Sequence, residues 1–194
     1  MTSTTLSFCA YQIRCGIPAL AQGIVQGLKP FGWQPNQHAG ISLLIDGPWG
    51  FALKSLEQKT TSKWVIVTDN PCPEYTEDLW SYEPNALLVG AHSAEEIVNA
   101  LERTVLGEFF RCTPLYESPL SSLERKLLRY SAMGWENQRI AQTLNLKVGT
   151  VRNGLSRVFQ KLGFENRAEI ALYYWGLWHL LENNPVNQQN LIDS

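Results

Sequence analysis

Long apolar runs are missing from this chain. No stretch of about eighteen uncharged apolar residues occurs, which argues against a membrane-spanning helix. No N-terminal basic segment precedes an apolar core with a cleavage site, so no secretion signal is read and a cytoplasmic, bacterial setting is expected. Cysteine is scarce and scattered. Cys9, Cys15, Cys72 and Cys112 form neither a CxxC pair nor a Cys/His metal spacing. They are expected to be buried, reduced thiols, and neither metal nor cofactor is expected. No glycine-rich phosphate loop is present. His38, His92 and His179 stand apart from any nucleophile or metal partner in sequence. An enzyme is therefore the least supported class, and a lone histidine is expected to be a surface or hydrogen-bonded residue. Internal repeats and low-complexity tracts are also absent, although residues 183–194 read as a polar tail.

What is present is unevenly distributed. Residues 1–119 carry 7 basic against 12 acidic side chains, a net of −5, whereas residues 120–167 carry 9 basic against 3 acidic, a net of +6. An acidic half joined to a basic half suits a regulator with a nucleic-acid-binding end. The first half alternates short apolar runs with helical patterns. Leu6–Tyr11, Ile41–Ile45, Trp64–Thr68 and Ala86–Val89 read as strands buried on both faces. Pro18–Leu28, Trp49–Gln58 and Ser93–Leu106 read as helices. The last has a capping box, Ser93 with Glu96, and an apolar stripe of Ile97, Leu101 and Val105. This alternation predicts a parallel α/β sheet. Phe31, Trp33, Trp49, Phe51, Trp64 and Trp80 are expected in its core, the alternative being a pocket or partner face. Thr113–Pro119, proline-flanked, reads as a linker.

Beyond the linker only helices are predicted. Ser121 and Glu124 form a second capping box, and the helix they open stops at Gly134. A second helix spans Asn137–Leu144. A third spans Gly149–Leu162, with Val151, Leu155, Val158 and Leu162 on one face. Its other face carries Arg152, Asn153 and Ser156, with Arg157 and Lys161 beside them. Two short helices joined by a tight break, the second basic outward, suit a major groove. The alternative is a small bundle with a solvated charged face.

Residues 120–172 resemble the LuxR/GerE-type helix-turn-helix of bacterial transcription factors. The resemblance is carried by Leu120, Glu124, Leu128, Gly134, Asn137, Ile140, Ala141, Leu144, Thr150, Val151, Lys161, Leu162, Arg167 and Ala171. It implies binding of double-stranded DNA, with base contacts from Arg152, Asn153 and Ser156. Backbone contacts are implied for Asn137, Gln138, Thr150, Arg157 and Lys161. Three departures stand out. Lys147 occupies a position where a capping Ser is usual, the Asn-Lys-Glu-Ile-Ala run lacks its Glu, and Gly154 replaces a frequent His. The glycine is read as removing a side chain from the groove-facing surface. The last helix is predicted over Arg167–Leu181 and is apolar around most of its circumference. A homodimer through Tyr173, Tyr174, Leu177 and Trp178 is expected, the alternative being that this helix folds back on the first domain.

Regulators of this kind commonly carry a phosphoacceptor receiver domain, and the first half resembles one in outline. Ile41–Asp46 resembles the strand that ends in the phosphorylated Asp, and Val65–Thr68 the strand that ends in the switch Thr. The remaining chemistry is missing. The acidic pair that would hold Mg²⁺ falls at Cys15 and Gly16, and the Lys position at Gly90. The spacing before Asp46 is short by most of one strand-helix unit. Asp46 is thus phosphoacceptor-like but expected to be inactive. The whole reading is a truncated receiver-like α/β domain over residues 1–112, a linker at 113–119, an all-α four-helix helix-turn-helix domain over 120–181, and a tail at 182–194. The function expected is a DNA-binding transcription regulator not controlled by Asp phosphorylation, with a protein partner or small ligand at the N-terminal domain. The alternative is a protein–protein adaptor with weak or no DNA binding.

Overall fold

The computed structural model describes residues 9–58, 63–90, 92–113 and 118–181. The tail, most of the linker and the start of the first expected strand lie outside them. Among the described residues the strands and α-helices follow in the order β1 (Cys9–Cys15), α1 (Pro18–Leu28), β2 (Trp33–Pro35), β3 (Ile41–Ile45), α2 (Phe51–Leu56), β4 (Lys63–Thr68), α3 (Pro73–Trp80), β5 (Ala86–Val89), α4 (Ala94–Val105), β6 (Phe110–Cys112), α5 (Ser122–Ala132), α6 (Asn137–Leu144), α7 (Val148–Leu162) and α8 (Arg167–Tyr174). Two compact units result, one of residues 1–70 with 76–114, the other of 71–75 with 115–194.

The first unit is built on one sheet in the order β2-β1-β3-β4-β5-β6, with every adjacent pair parallel. Parallel strands need crossovers, and helices on both faces bury them. That is why β3 and β5 read as unbroken apolar runs, and all nine of their residues are buried. Side chains alternate between faces along each strand. Ile41, Leu43, Ile45, Val65, Ala86 and Leu88 share one core with Ile97, Val98 and Leu101 of α4. Leu44, Ile66 and Leu87, opposite one another in register, form a buried row on the other face.

The missing strand-helix unit is half present. β2 exists, and only the helix after it is absent, since Ala39 and Gly40 lead almost directly into β3. Three short elements escaped the sequence reading. β2 and β6 have three residues each, too few for periodicity, and α3 has a mixed polar composition. The capping box of α4 is formed: Glu96 N–H donates to Ser93 Oγ at 3.2 Å, and Ser93 N–H to Glu96 Oε2 at 2.7 Å. Its apolar stripe differs from expectation. Val105 is 55% exposed whereas Thr104 is fully buried. At about 100° per residue, position i+8 has rotated some 80° from Ile97, while i+7 is nearly eclipsed with it. The aromatics divide likewise. Trp33 and Trp64 are buried, Trp49, Phe51 and Trp80 half-buried, and Phe31 exposed. Of the cysteines only Cys72 is buried, and burial pushes its thiol pKa up, away from thiolate chemistry. Cys9 and Cys112, at a strand start and on an edge strand, are exposed.

The second unit packs α5, α6, α7 and α8 around Leu127, Leu128, Ile140, Val151, Val158 and Ile170. The break between α6 and α7 is made by Asn145, whose φ of 53° is left-handed, with Leu146 N–H closing back on Ala141 O at 2.8 Å. Asn tolerates that backbone better than most residues. Lys147, as expected, makes no side-chain cap for α7.

Gly154 is not on the groove face. It is buried, and a Cβ added there would come within 2.3 Å of Leu127 Cδ1. Gly154 is thus the contact that lets α7 approach α5, which corrects the reading that it strips the outer surface. α8 is also shorter than expected. It ends at Tyr174, Gly176 turns the chain at φ 72°, and a 3₁₀ turn follows at Trp178–Leu180.

The ends of α5 and α7 are tied by Glu124. Its carboxylate accepts Ser121 N–H at 2.8 Å and the Lys161 ammonium at 2.8 Å, while Arg157 Nε lies 3.7 Å away. The Lys161 hydrogen bond, followed by that from Ser121, holds the Glu124 carboxyl at about 2, well below its ordinary 4.5.

Two outcomes follow from this packing. A Gly154→Ala change gains about 1 kcal/mol of helix propensity but overpacks a filled site, a cost of about 1–3 kcal/mol. Thermal unfolding is expected to show a net loss, and Leu127→Val in the same chain should recover part of it; a rise in Tm would contradict the contact. Glu124 has a folded-state pKa below its unfolded value, so its stabilisation is complete above about pH 4.5 and is lost as pH falls towards 2. Urea unfolding of the native chain and of Glu124→Gln should therefore differ most near neutrality and converge in acid. A pH-independent gap between them would remove the ion-pair account.

Candidate nucleic-acid interface

α7 places the expected base-reading residues outward because its apolar side is fully committed. Val151, Leu155 and Val158 are buried, while Arg152, Asn153, Ser156 and Arg157 are exposed. Arg152 with Ser156, and Asn153 with Arg157, are i, i+4 pairs. They form two adjacent rows along one side of the helix. Ser156 Oγ donates to Arg152 O at 3.1 Å, which uses its hydrogen and leaves its lone pairs outward. Thr150 is exposed in the first turn.

The start of α6 joins this surface. Asn137, Gln138, Arg152 and Ser156 line one open cleft of about 600 Å³, with Leu155 and Phe159 at its base and Glu136 and Arg167 at its edge. Arg167, at the start of α8, fixes that end of α6: its guanidinium donates to Trp135 O at 2.8 Å and Asn137 Oδ1 at 2.7 Å. Asn137 is therefore held with its amide NH₂ free of that contact. Asn166 caps α8 by accepting from Ala168 and Glu169 N–H at 2.9 and 3.1 Å, which sets where Arg167 begins.

Lys161 and the expected dimer residues sit otherwise than expected. The Lys161 ammonium is engaged inside the unit, by Glu124 Oε2 at 2.8 Å and Pro119 O at 3.2 Å, so its visible role is to hold the end of α7. The dimer set is likewise occupied. Tyr173, Tyr174 and Trp178 are buried and Leu177 is half-buried. Tyr173 stacks on Trp178 at 5.2 Å and packs on Phe164 at 5.3 Å, and Trp178 Nε1–H donates to Tyr173 O at 2.7 Å. The three rings are packed within the second unit, while Leu180 of the same segment is exposed. The stack of Trp135 on Tyr130 at 4.5 Å, with the Arg139 guanidinium 3.8 Å from the Trp135 ring centre, was not foreseen. The i, i+4 spacing of Trp135 and Arg139 was its sequence signal.

At the other end of the chain Asp46 follows β3, is 4% exposed and has partners on both oxygens. Ala52 N–H donates to Oδ1 at 2.8 Å and Thr68 Oγ1–H to Oδ2 at 2.9 Å. Cys15 stands opposite Ile45 in register, one residue from Asp46, and its Sγ lies 3.5 Å from Gly47 O. A Cβ on Gly16 would come within 2.9 Å of Gly47 O and Pro48 Cδ, so the backbone there has no room for a carboxylate side chain. Gly90 closes β5 with N–H donating to Thr68 O at 2.9 Å. Among the described residues no cluster of three metal-ligating side chains forms, and Cys15, Gly16 and Asp46 do not make the donor set a Mg²⁺ ion requires. No described helix is long and apolar enough to cross a membrane.

Residues 118–174 match the family of bacterial regulatory proteins, luxR family. The transcriptional regulatory protein DesR of Bacillus subtilis is 30% identical over 133 residues, 64% of this chain and 67% of its own length. Among solved structures, RcsB of Salmonella enterica serovar Typhimurium, bound to promoter rprA in the presence of phosphomimetic BeF3−, aligns over 86% of this chain and 98% of its own with a TM-score of 0.57 at 16% identity. A structure of two RcsB dimers bound to two parallel DNAs aligns over 87% and 98% with a TM-score of 0.53 at 16% identity. The parallel sheet and the helical module are thus arranged along the chain as in response regulators, and by sequence the chain belongs to the luxR family of bacterial regulatory proteins.

Proposed function

We propose that this protein regulates transcription by binding double-stranded DNA through α7, without control by phosphorylation of Asp46. The observation that carries the first part is the open cleft that Arg152 and Ser156 share with Asn137 and Gln138, with Asn153 exposed in the adjacent row of α7. Arg and Asn each make paired hydrogen bonds to base edges, and a polar helix N-terminus suits phosphates. Arg157 and Thr150 are assigned to the DNA backbone, and Lys161 to holding the module. A homodimer on DNA is part of the proposal, since the related RcsB fold is found as dimers on DNA, but its contact lies outside the buried rings of α8.

The second part is supported by what surrounds Asp46. Its carboxylate accepts two hydrogen bonds that cap the start of α2 and orient Thr68. A nucleophile would need a free oxygen, a metal and a cation for the product charge, and Cys15, Gly16 and Gly90 supply neither of the latter two.

Fluorescence anisotropy with a DNA pool at two salt concentrations tests the first part. Affinity should fall steeply with salt through counterion release. Arg152→Ala should cost about 1–3 kcal/mol on the selected site and flatten discrimination, whereas Arg157→Ala should weaken all sequences and lower the salt slope by about one. No binding even at low salt would leave the adaptor reading in its place. For the second part, incubation with acetyl phosphate and Mg²⁺ should leave the protein unlabelled; label that disappears in Asp46→Ala would overturn it.

A further inference from the structure

The C-terminal ends of β3, β4 and β5, with the start of α1, enclose a cavity of about 430 Å³ in the first unit. That volume is typical of a small-molecule site. It also lies where such sites form in doubly wound sheets, outside the carboxyl ends of the strands beside the point where strand order reverses, here between β1 and β3. In a phosphoacceptor domain this place would be filled with charge. Here Ile17, Leu20, Ile24 and Ile97 form its wall, and among the described residues no Lys or Arg lines it. A Cβ added at Gly90, on its rim, would meet nothing within 4 Å.

Among the described residues, the polar side chains of the cavity are engaged, with one exception. Asp46 is held by Ala52 and Thr68, and the Asp69 carboxylate accepts the Trp49 indole N–H. His92 is different. Its side chain is only 7% exposed, Nδ1 lies 3.4 Å from Glu96 Oε1, and Nε2 has no hydrogen-bond partner among the described residues. A buried polar nitrogen left unpaired is costly, and native proteins seldom keep one without use. With the Nδ1 hydrogen directed at Glu96, neutral imidazole presents Nε2 as an acceptor. The carboxylates of Asp46, Asp69 and Glu96 around it disfavour an anion.

We infer that this cavity binds a small, uncharged, mostly apolar molecule carrying one hydroxyl or N–H group, which donates to His92 Nε2 while its body packs on Ile17, Leu20, Ile24 and Ile97. This goes beyond the DNA-binding proposal and needs no DNA, so either can fail alone.

The probe is 2-naphthol, titrated into the full chain with methyl and amide NMR shifts as the readout. Naphthalene, lacking the donor, and 2-naphthoate, carrying a charge, serve as counterparts. Saturable shifts are expected at Ile17, Leu20, Ile24 and Ile97, with 2-naphthol preferred over both counterparts by about tenfold, the worth of one hydrogen bond. His92→Phe keeps a ring in place and should abolish the preference over naphthalene. Leu20 is 40% exposed, so Leu20→Trp should preserve the spectrum of the folded chain while filling the cavity and abolishing binding. Shifts that do not saturate, a preference unchanged in His92→Phe, binding unchanged in Leu20→Trp, or 2-naphthoate binding as tightly as 2-naphthol would each overturn the assignment.

Discussion

A buried carboxylate governs the geometry of the DNA-binding unit. Glu124 stands three residues into α5, accepts the N–H of Ser121, and receives Lys161 from the far end of α7. A carboxylate taken from water must recover its hydration through hydrogen bonds and counter-charge. Glu124 does so only when the start of α5 and the end of α7 are together, so the ion pair has meaning for orientation beyond its modest energy. Gly154 sets the spacing between the same two helices in mid-span by letting Leu127 close on bare backbone. One contact fixes the ends and the other the approach. The outward rows of Arg152 and Asn153 take their direction from both, and Arg167 adds the start of α6 through Asn137.

In the first unit, whose fold is receiver-like, the Asp46 carboxylate is tied into the scaffold. Asp46 does for α2 what a capping residue does for any helix, offering an oxygen to an N–H that has no partner in the first turn. Thr68, at the end of the neighbouring strand, turns its hydroxyl to the same carboxylate. Where charge and metal would sit, isoleucine and leucine side chains surround open space with a histidine nitrogen at its edge. Such a site is suited to hydrophobic occupation, because apolar burial there is not opposed by the desolvation of a cation.

Much of this was legible beforehand for identifiable reasons. β3 and β5 are continuous apolar runs since they are covered on both faces, and the capping boxes of α4 and α5 are local patterns completed within four residues. The α7 face follows from 3.6-residue periodicity, which also decides which residues remain outside. β2, β6 and α3 were not legible, being too short or too polar for periodicity to register. Val105 shows the same limit within a recognised helix. A stripe read at steps of four drifts round the axis, and the buried place passed to Thr104.

The deeper limits concern residues whose role is set by something distant. Gly154 looks like a gap in the groove face until Leu127, 27 positions earlier, is seen beneath it. Lys161 looks like a phosphate ligand until Glu124 is found at 2.8 Å. Tyr173, Tyr174 and Trp178 look like an interface on a long helix, yet the helix ends early and folds their rings into its own core. The sequence by itself determined most of the elements, the caps and the basic outer face of α7, because each depends on residue type and near neighbours. Only the tertiary structure decided which side chains are already spoken for, because a buried contact or an ion pair between residues tens of positions apart leaves no trace in local pattern.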